Sequence, residues 1–159
     1  MMNICNAQTI RKTIPIYKKI HPLKLMNLVK VFGSICNSKF NCQILTKTHN
    51  NKWIFKYHAK EKITITLSFC DIHKESYPCI HIHEFLFSKQ HQESQTDDKI
   101  LKTIIRHIHN LDFECLIFHI KDSNHINLCE LNSFKKSGMN QMVLSLKPKF
   151  IQVSKPNNI

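Results

Sequence analysis

Glycine is almost missing. The chain has two, Gly33 and Gly138, in 159 residues, where usual composition gives about eleven. A glycine-rich phosphate loop is therefore not available. Acidic residues are also few, 11 against 23 Lys and Arg, leaving a formal charge of +12. No apolar run approaches the ~18 residues that span a bilayer. The opening Met1-Met2-Asn3-Ile4-Cys5-Asn6 lacks a basic segment followed by an apolar one, so no secretory signal is read. The seven cysteines (Cys5, Cys36, Cys42, Cys70, Cys79, Cys115, Cys129) are odd in number, dispersed and without a Cys-x-x-Cys pair. That spacing argues against a zinc ribbon or a thioredoxin-type site and predicts reduced, mostly buried thiols in a cytoplasmic protein.

Apolar residues make up 42% of the chain and are spread along it, which predicts a globular core. The length suits one domain burying roughly two-thirds of its unfolded surface. Expected limits are residues 1–147 for the domain, with 1–20 an arm or short helix because Pro15 weakens a continuous one, and 148–159 a loose tail. The positive charge invites a polyanion such as nucleic acid or a membrane surface. Against this, abundant Lys, Asn and Ile with little Gly is the bias of an AT-rich coding sequence. The lysines are also dispersed, densest at Arg11-Lys12…Lys18-Lys19 and Lys147…Lys149.

Periodicity outlines the elements. From Pro22, Leu25, Leu28, Val29, Phe32 and Ile35 recur at helical spacing up to Asn37. Cys42–Thr46 and Trp53–Tyr57 flank the turn-like His49-Asn50-Asn51-Lys52 and read as a hairpin. Ile63 to Phe69 alternates apolar and hydroxyl residues, as in a half-buried strand, whereas Cys79 to Phe87 is apolar on both faces, as in a central one. A polar loop follows. Next comes a helix from about Asp97 to Asn110 with the stripe Ile100, Leu101, Ile104, Ile105, Ile108, Leu111, and then a buried strand from Cys115. A strand–helix–strand crossover of this length implies a parallel pair. A last helix, about Ile126 to Lys136 and ended by Gly138, and a strand Val143–Leu146 complete the pattern.

This order resembles the GNAT N-acyltransferase superfamily, residue by residue over Tyr77–Leu146. Phe87 fills the apolar position ending the fourth strand, Lys89 replaces a proline, and Gln92 matches the leading Gln/Arg of the cofactor loop. Gln95 and Asp97, with Thr96 between them, stand where two small residues belong. Downstream, Asn127, Phe134, Gly138 and Met139 match the second half of the pattern, with Phe134 in place of the usual tyrosine. The resemblance implies an α/β (α+β) fold: a mixed central sheet of antiparallel N-terminal strands and a parallel strand–helix–strand pair, flanked by helices. It implies acetyl-CoA or another acyl-CoA as cofactor and an amine as acceptor. The pantetheine arm would lie between the fourth and fifth strands, and the pyrophosphate on the helix N-terminus. The cofactor-binding positions become Phe87, Lys89, Gln92, Gln95, Thr96, Asp97, Asn127 and Phe134.

The residues themselves weaken that implication. Asp97, Asp98 and Glu93 place carboxylates where a phosphate would sit, although an acidic first turn favours the helix. Glu84, beside His83, is the base candidate; as a strand residue it can equally be a hydrogen-bonded structural group. Phe134 has no proton to give. Cys129 inside a helix reads as core rather than as a nucleophile. The alternative is thus a catalytically degenerate GNAT-like protein that binds a partner or pairs as a homodimer, and a second alternative is a basic nucleic-acid-binding protein.

The resemblance calls for no metal. The eleven histidines nevertheless supply a rival site: Cys79-x-His81-x-His83 shares one strand face, His119 lies on the strand next door, and His73 or His91 is near in sequence. His107 and His109 are two apart on a helix and form no pair.

Overall fold

A computed structural model describes residues 23–47, 52–60, 62–70, 79–111 and 113–146. The expected arm, the tail and most of the His49–Lys52 turn lie outside these residues. Two short helices, α1 (Leu23–Met26) and α2 (Leu28–Cys36), precede strands β1 (Phe40–Lys47), β2 (Lys52–Ala59), β3 (Ile63–Cys70) and β4 (Cys79–Leu86). Then follow α3 (Lys89–Glu93), α4 (Thr96–His109), β5 (Cys115–His119), α5 (Ser123–Leu131), β6 (Lys135–Lys136) and β7 (Gln141–Ser145). The strands form one seven-stranded sheet, ordered β1-β2-β3-β4-β5-β7-β6. β4 and β5 run parallel across the α4 crossover, and the other neighbours run antiparallel. This is the mixed α/β sheet that the pattern of elements predicts.

Local chemistry sets the helix limits. α2 ends at Asn37, left-handed at φ 54°, whose N–H bonds the Gly33 carbonyl. Gly33 itself has no room for a side chain: a Cβ would stand 2.9 Å from the Ser38 carbonyl oxygen. α5 starts at Asp122, whose carboxylate accepts the N–H groups of Asn124 and His125. That cap corrects the expected last helix. It runs Ser123–Leu131 and stops at Asn132, so Phe134 lies beyond it, and Gly138 (φ 81°) serves the turn between β6 and β7. The expected polar loop also contains a helix, α3, capped by Ser88.

Register explains the core. Phe55, Leu67, Ile82 and Phe118 lie in one row across β2–β5, and Tyr57, Ile65 and Phe85 in the next, all buried on one face. Each large apolar side chain so buried contributes ~1.5–3 kcal/mol. The helices attach to this face. Tyr57 Oη donates to the Leu25 carbonyl at 2.7 Å, and its burial raises the phenol's pKa. Phe32 of α2 meets the Tyr57 ring edge-on at 5.2 Å. His107 Nε2 of α4 donates to the Lys24 carbonyl at 2.7 Å, and His125 of α5 stands against Phe118 at 5.1 Å. α4 buries Ile100, Leu101, Ile104 and Ile108, as its stripe predicts.

Two expectations need correction. β3 is not half-buried: Thr66 and Ser68 are only 7% and 1% exposed, because their hydroxyls are bonded to Glu84 and His83 of β4. Nor are all the thiols free. Cys79 and Cys115 sit opposite each other in the parallel pair, Cα atoms 4.8 Å apart, and form a disulfide. Cys36 and Cys129 are buried thiols, and Cys42 and Cys70 are half-buried thiols.

Candidate functional site

β4 and β5 part halfway. Pairing runs from Cys79–Cys115 to Ile82–Phe118 and stops, although β4 continues to Leu86. The cause lies on the other side of β4. Opposite β3 the register shifts, so that Leu67 faces Ile82, Thr66 faces Glu84, and His83 has no partner. Such a bulge bends and twists its strand. It also turns His83 and Glu84 to the same face as His81.

The parting is where the GNAT resemblance places a pantetheine arm, and protein groups already occupy it. The Phe85 carbonyl accepts from His125 Nε2 at 3.0 Å, and the Phe87 carbonyl accepts from the Gln92 side-chain amide at 3.1 Å. The Phe85 ring fills the space between Phe87 (4.8 Å) and Phe118 (5.3 Å), and Phe118 meets Phe134 at 6.1 Å. Because a carbonyl only accepts, His125 carries its proton on Nε2, which leaves Nδ1 to accept from the Lys121 N–H at 3.5 Å. His125 matches no motif. Its one sequence signal is Asp122 three residues earlier, the cap that puts it in the first turn of α5.

The helix N-terminus is likewise engaged. Gln95, at the first small-residue position, is left-handed at φ 61° and makes no side-chain cap. The backbone thus takes the conformation glycine would adopt freely, with a long side chain attached. Asp97 Oδ1 accepts the Asp98 N–H at 2.8 Å, and burial raises the Asp97 pKa. Asp98 accepts from Lys102 Nζ (2.8 Å) and Asn132 Nδ2 (2.8 Å). Partial burial opposes its charge, but those two bonds outweigh this and hold its carboxyl below the usual range. Thr96 is buried with its hydroxyl 2.7 Å from that of Ser94. Lys89 and Lys99 are exposed.

The catalytic candidates are bonded rather than free. Glu84 Oε1 accepts the Thr66 hydroxyl at 2.6 Å, and His83 Nε2 is 2.7 Å from Ser68 Oγ. Asn127 is exposed on α5, and Phe134 is buried. Cys129 is core: burial, with Glu130 nearby, pushes its thiol up to about 12.

The histidines do gather. His81, His83 and His119 each present a ring nitrogen, all within 4.8 Å of one another. His81 Nδ1 and His119 Nε2 share a hydrogen bond at 2.9 Å. The rings stack, with centroids 5.1 Å apart for His81–His119, 4.6 Å for His83–His119 and 5.6 Å for His81–His83. Burial first, then His119 and Lys52, lower His81 and His83 to about 4; burial, Lys121 and Lys52 also lower His119. The imidazoles are therefore neutral near pH 7. Cys79, expected as a fourth donor, is withdrawn: its sulfur is in the disulfide and offers no thiolate. His91 is bonded to its helix cap, Nδ1 to Ser88 Oγ at 2.8 Å, and His73 lies outside the described residues.

No protein-family model matches the chain. No curated protein matches it. Among solved structures it is similar to a chimera of the Vibrio cholerae spermidine N-acetyltransferase SpeG and hSSAT, at 15% identity over 70% of this chain and 74% of that one, TM-score 0.43. It is also similar to a protein from Agrobacterium tumefaciens described as an acetyltransferase, at 10% identity over 74% and 81% of the two chains, TM-score 0.37.

Proposed function

We propose that the chain is a GNAT-like binding or interaction protein in which transfer from acyl-CoA has been given up. One observation carries the reading. The carbonyls of Phe85, at the parted end of β4, and of Phe87, just past it, are taken by His125 and Gln92 of the same chain. A pantetheine amide would have to displace both; Gln92 is exposed and can turn to water, but leaving the buried His125 unpaired costs ~1–3 kcal/mol. Around the pyrophosphate position, Asp97 holds the Asp98 N–H and Asp98 adds a second carboxylate. The residues present therefore do not fit acetyl-CoA in the mode the resemblance implies, and Phe134 supplies no acid for a leaving thiolate. The test is thermal unfolding of the full chain with acetyl-CoA up to millimolar, beside retention on immobilised coenzyme A. No shift and no retention are expected.

The parting of β4 from β5 is the observation that favours the other reading, acyl transfer to an amine with Glu84 or His83 as base. A rise in Tm with acetyl-CoA, followed by acetylation of a polyamine or a lysine peptide, would establish it. Nucleic-acid binding rests on the +12 charge alone and would show as affinity that falls steeply with salt. For the binding reading, the partner is another protein or a second copy of the chain, read by pull-down and by the mass of the particle in solution.

A further inference from the structure

We propose that His81, His83 and His119 hold one divalent transition-metal ion of the zinc class, with a fourth position open to solvent. Three imidazoles and an open position form a recognised zinc donor set, and neutral nitrogen donors select ions of this class over calcium or magnesium. The sheet supplies the arrangement. His81 and His83 share a face of β4 through the His-x-His alternation, and the bulge keeps His83 on that face without a β3 partner of its own. His119 comes from the parallel neighbour, one residue past the last paired position. The disulfide ties these two strands together at Cys79 and Cys115, two residues before His81 and four before His119, and so fixes the register on which the three rings meet. Ser68, almost fully buried, stands 2.7 Å from His83 Nε2 and orients that ring, as outer partners of metal-binding histidines do.

The ion takes the place of a proton. In the structure His81 Nδ1 and His119 Nε2 share one hydrogen at 2.9 Å. Two nitrogens on a tetrahedral zinc, with bonds of about 2.0–2.1 Å, stand about 3.3 Å apart. For this pair the shift is small, whereas donors up to 4.8 Å apart must close on the ion; the displaced proton moves to the far nitrogen of the same ring. Neither His81 Nε2 nor His119 Nδ1 has a partner among the described residues. The rings now stack instead of converging, so binding requires rotation about χ2, a soft torsion for histidine. The site lies on the face opposite α1, α2, α4 and α5 and does not depend on how the β4–β5 parting is used.

The test uses the full chain after treatment with a chelator, titrated with zinc chloride and with cobalt chloride. One ion per chain is expected, micromolar or tighter, with a rise in Tm. Cobalt should give the d–d absorption of a nitrogen and oxygen set, without thiolate-to-metal charge transfer, and zinc should abolish it. His81→Gln, His83→Gln and His119→Gln should each weaken zinc by roughly tenfold or more, while His109→Gln, at the exposed end of α4, should leave it unchanged. Should a variant fail to fold, the cobalt spectrum of the natural chain decides. No saturable binding at one equivalent, thiolate charge transfer, or full affinity in His119→Gln would each overturn the site. A negative result would leave the acetyl-CoA experiment, and the reading it tests, untouched.

Discussion

Replacing His125 by alanine removes the group that holds the parted edge of β4. The side chain is 7% exposed, and Nε2 bonds the Phe85 carbonyl at 3.0 Å. Loss of that bond leaves a buried carbonyl unsatisfied, about 1–3 kcal/mol. The ring also meets Phe118 edge-on at 5.1 Å and Phe85 at 6.3 Å, worth about 0.5–1.5 kcal/mol more. The expected loss is about 2–4 kcal/mol, and at ~2–4 °C per kcal/mol for a chain of this size Tm falls by about 5–15 °C. Urea unfolding followed by circular dichroism measures it, with the m-value unchanged. His125→Phe separates the two parts: the ring contacts persist, so only the hydrogen-bond share should be lost. The same variant tests the functional reading. Combined with Asp97→Ala and Asp98→Ala, which remove the carboxylates at the other end, His125→Ala should let acetyl-CoA begin to raise Tm while the natural chain stays unmoved. A loss below about 0.5 kcal/mol would mean that His125 does not hold this edge, and the argument against acyl-CoA would lose its main support.

Three further outcomes are expected. Gln95→Gly should raise stability by about 0.5–1 kcal/mol, since a left-handed non-glycine is strained and glycine's greater unfolded freedom returns only part of the gain; a lower urea midpoint would refute it. Replacing Cys79 and Cys115 by serine together opens a loop of sequence separation 36, about 4 kcal/mol by chain entropy, and a change under 1 kcal/mol would show that the bridge does not constrain the unfolded chain. In metal-free protein, stability should hold above about pH 6.5 and fall as pH drops toward about 4, because the unfolded chain takes up protons that His81 and His83 in the fold refuse. The total is on the order of 2–4 kcal/mol once the partial exposure of both rings is discounted, and His81→Gln with His83→Gln should flatten the profile.

How much of this was legible in the sequence depended on whether the signal was local. The α4 stripe was, because burial on one face writes a 3.6-residue period into Ile100, Leu101, Ile104 and Ile108. The parallel pair followed from the crossover length. The histidine cluster could be foreseen only as a list of neighbours: alternation puts His81 and His83 on one face, and the parallel pair brings His119 beside them. What stayed hidden depends on partners distant in sequence. The Cys79–Cys115 bridge has no spacing signature, since only the β4–β5 register sets the two residues opposite each other. His125 acts across 40 residues, on Phe85. The limits of α5 were misread because Gly138 looked like a helix end, while Asp122, a stronger cap, set the start earlier and Asn132 the stop.

The scarcity of glycine had a subtler effect than the sequence suggested. Five non-glycine residues, Asn37, Lys62, Gln95, Ser133 and Asn140, sit in the left-handed region among the described residues, so these turns are made by residues that carry side chains. Gln95 is the telling case, since at φ 61° it takes a conformation that glycine would adopt freely. What argues against a phosphate there is therefore not conformation but occupancy: a long side chain at position 95, a carboxylate from Asp97 on the Asp98 N–H, and a second from Asp98 held by Lys102 and Asn132. At the position the resemblance gives a pyrophosphate stand the carboxylates of Asp97 and Asp98, and where it gives the pantetheine arm His125 and Gln92 bond the Phe85 and Phe87 carbonyls. Among the described residues, nitrogen donors gather instead on the face opposite the helices, at His81, His83 and His119.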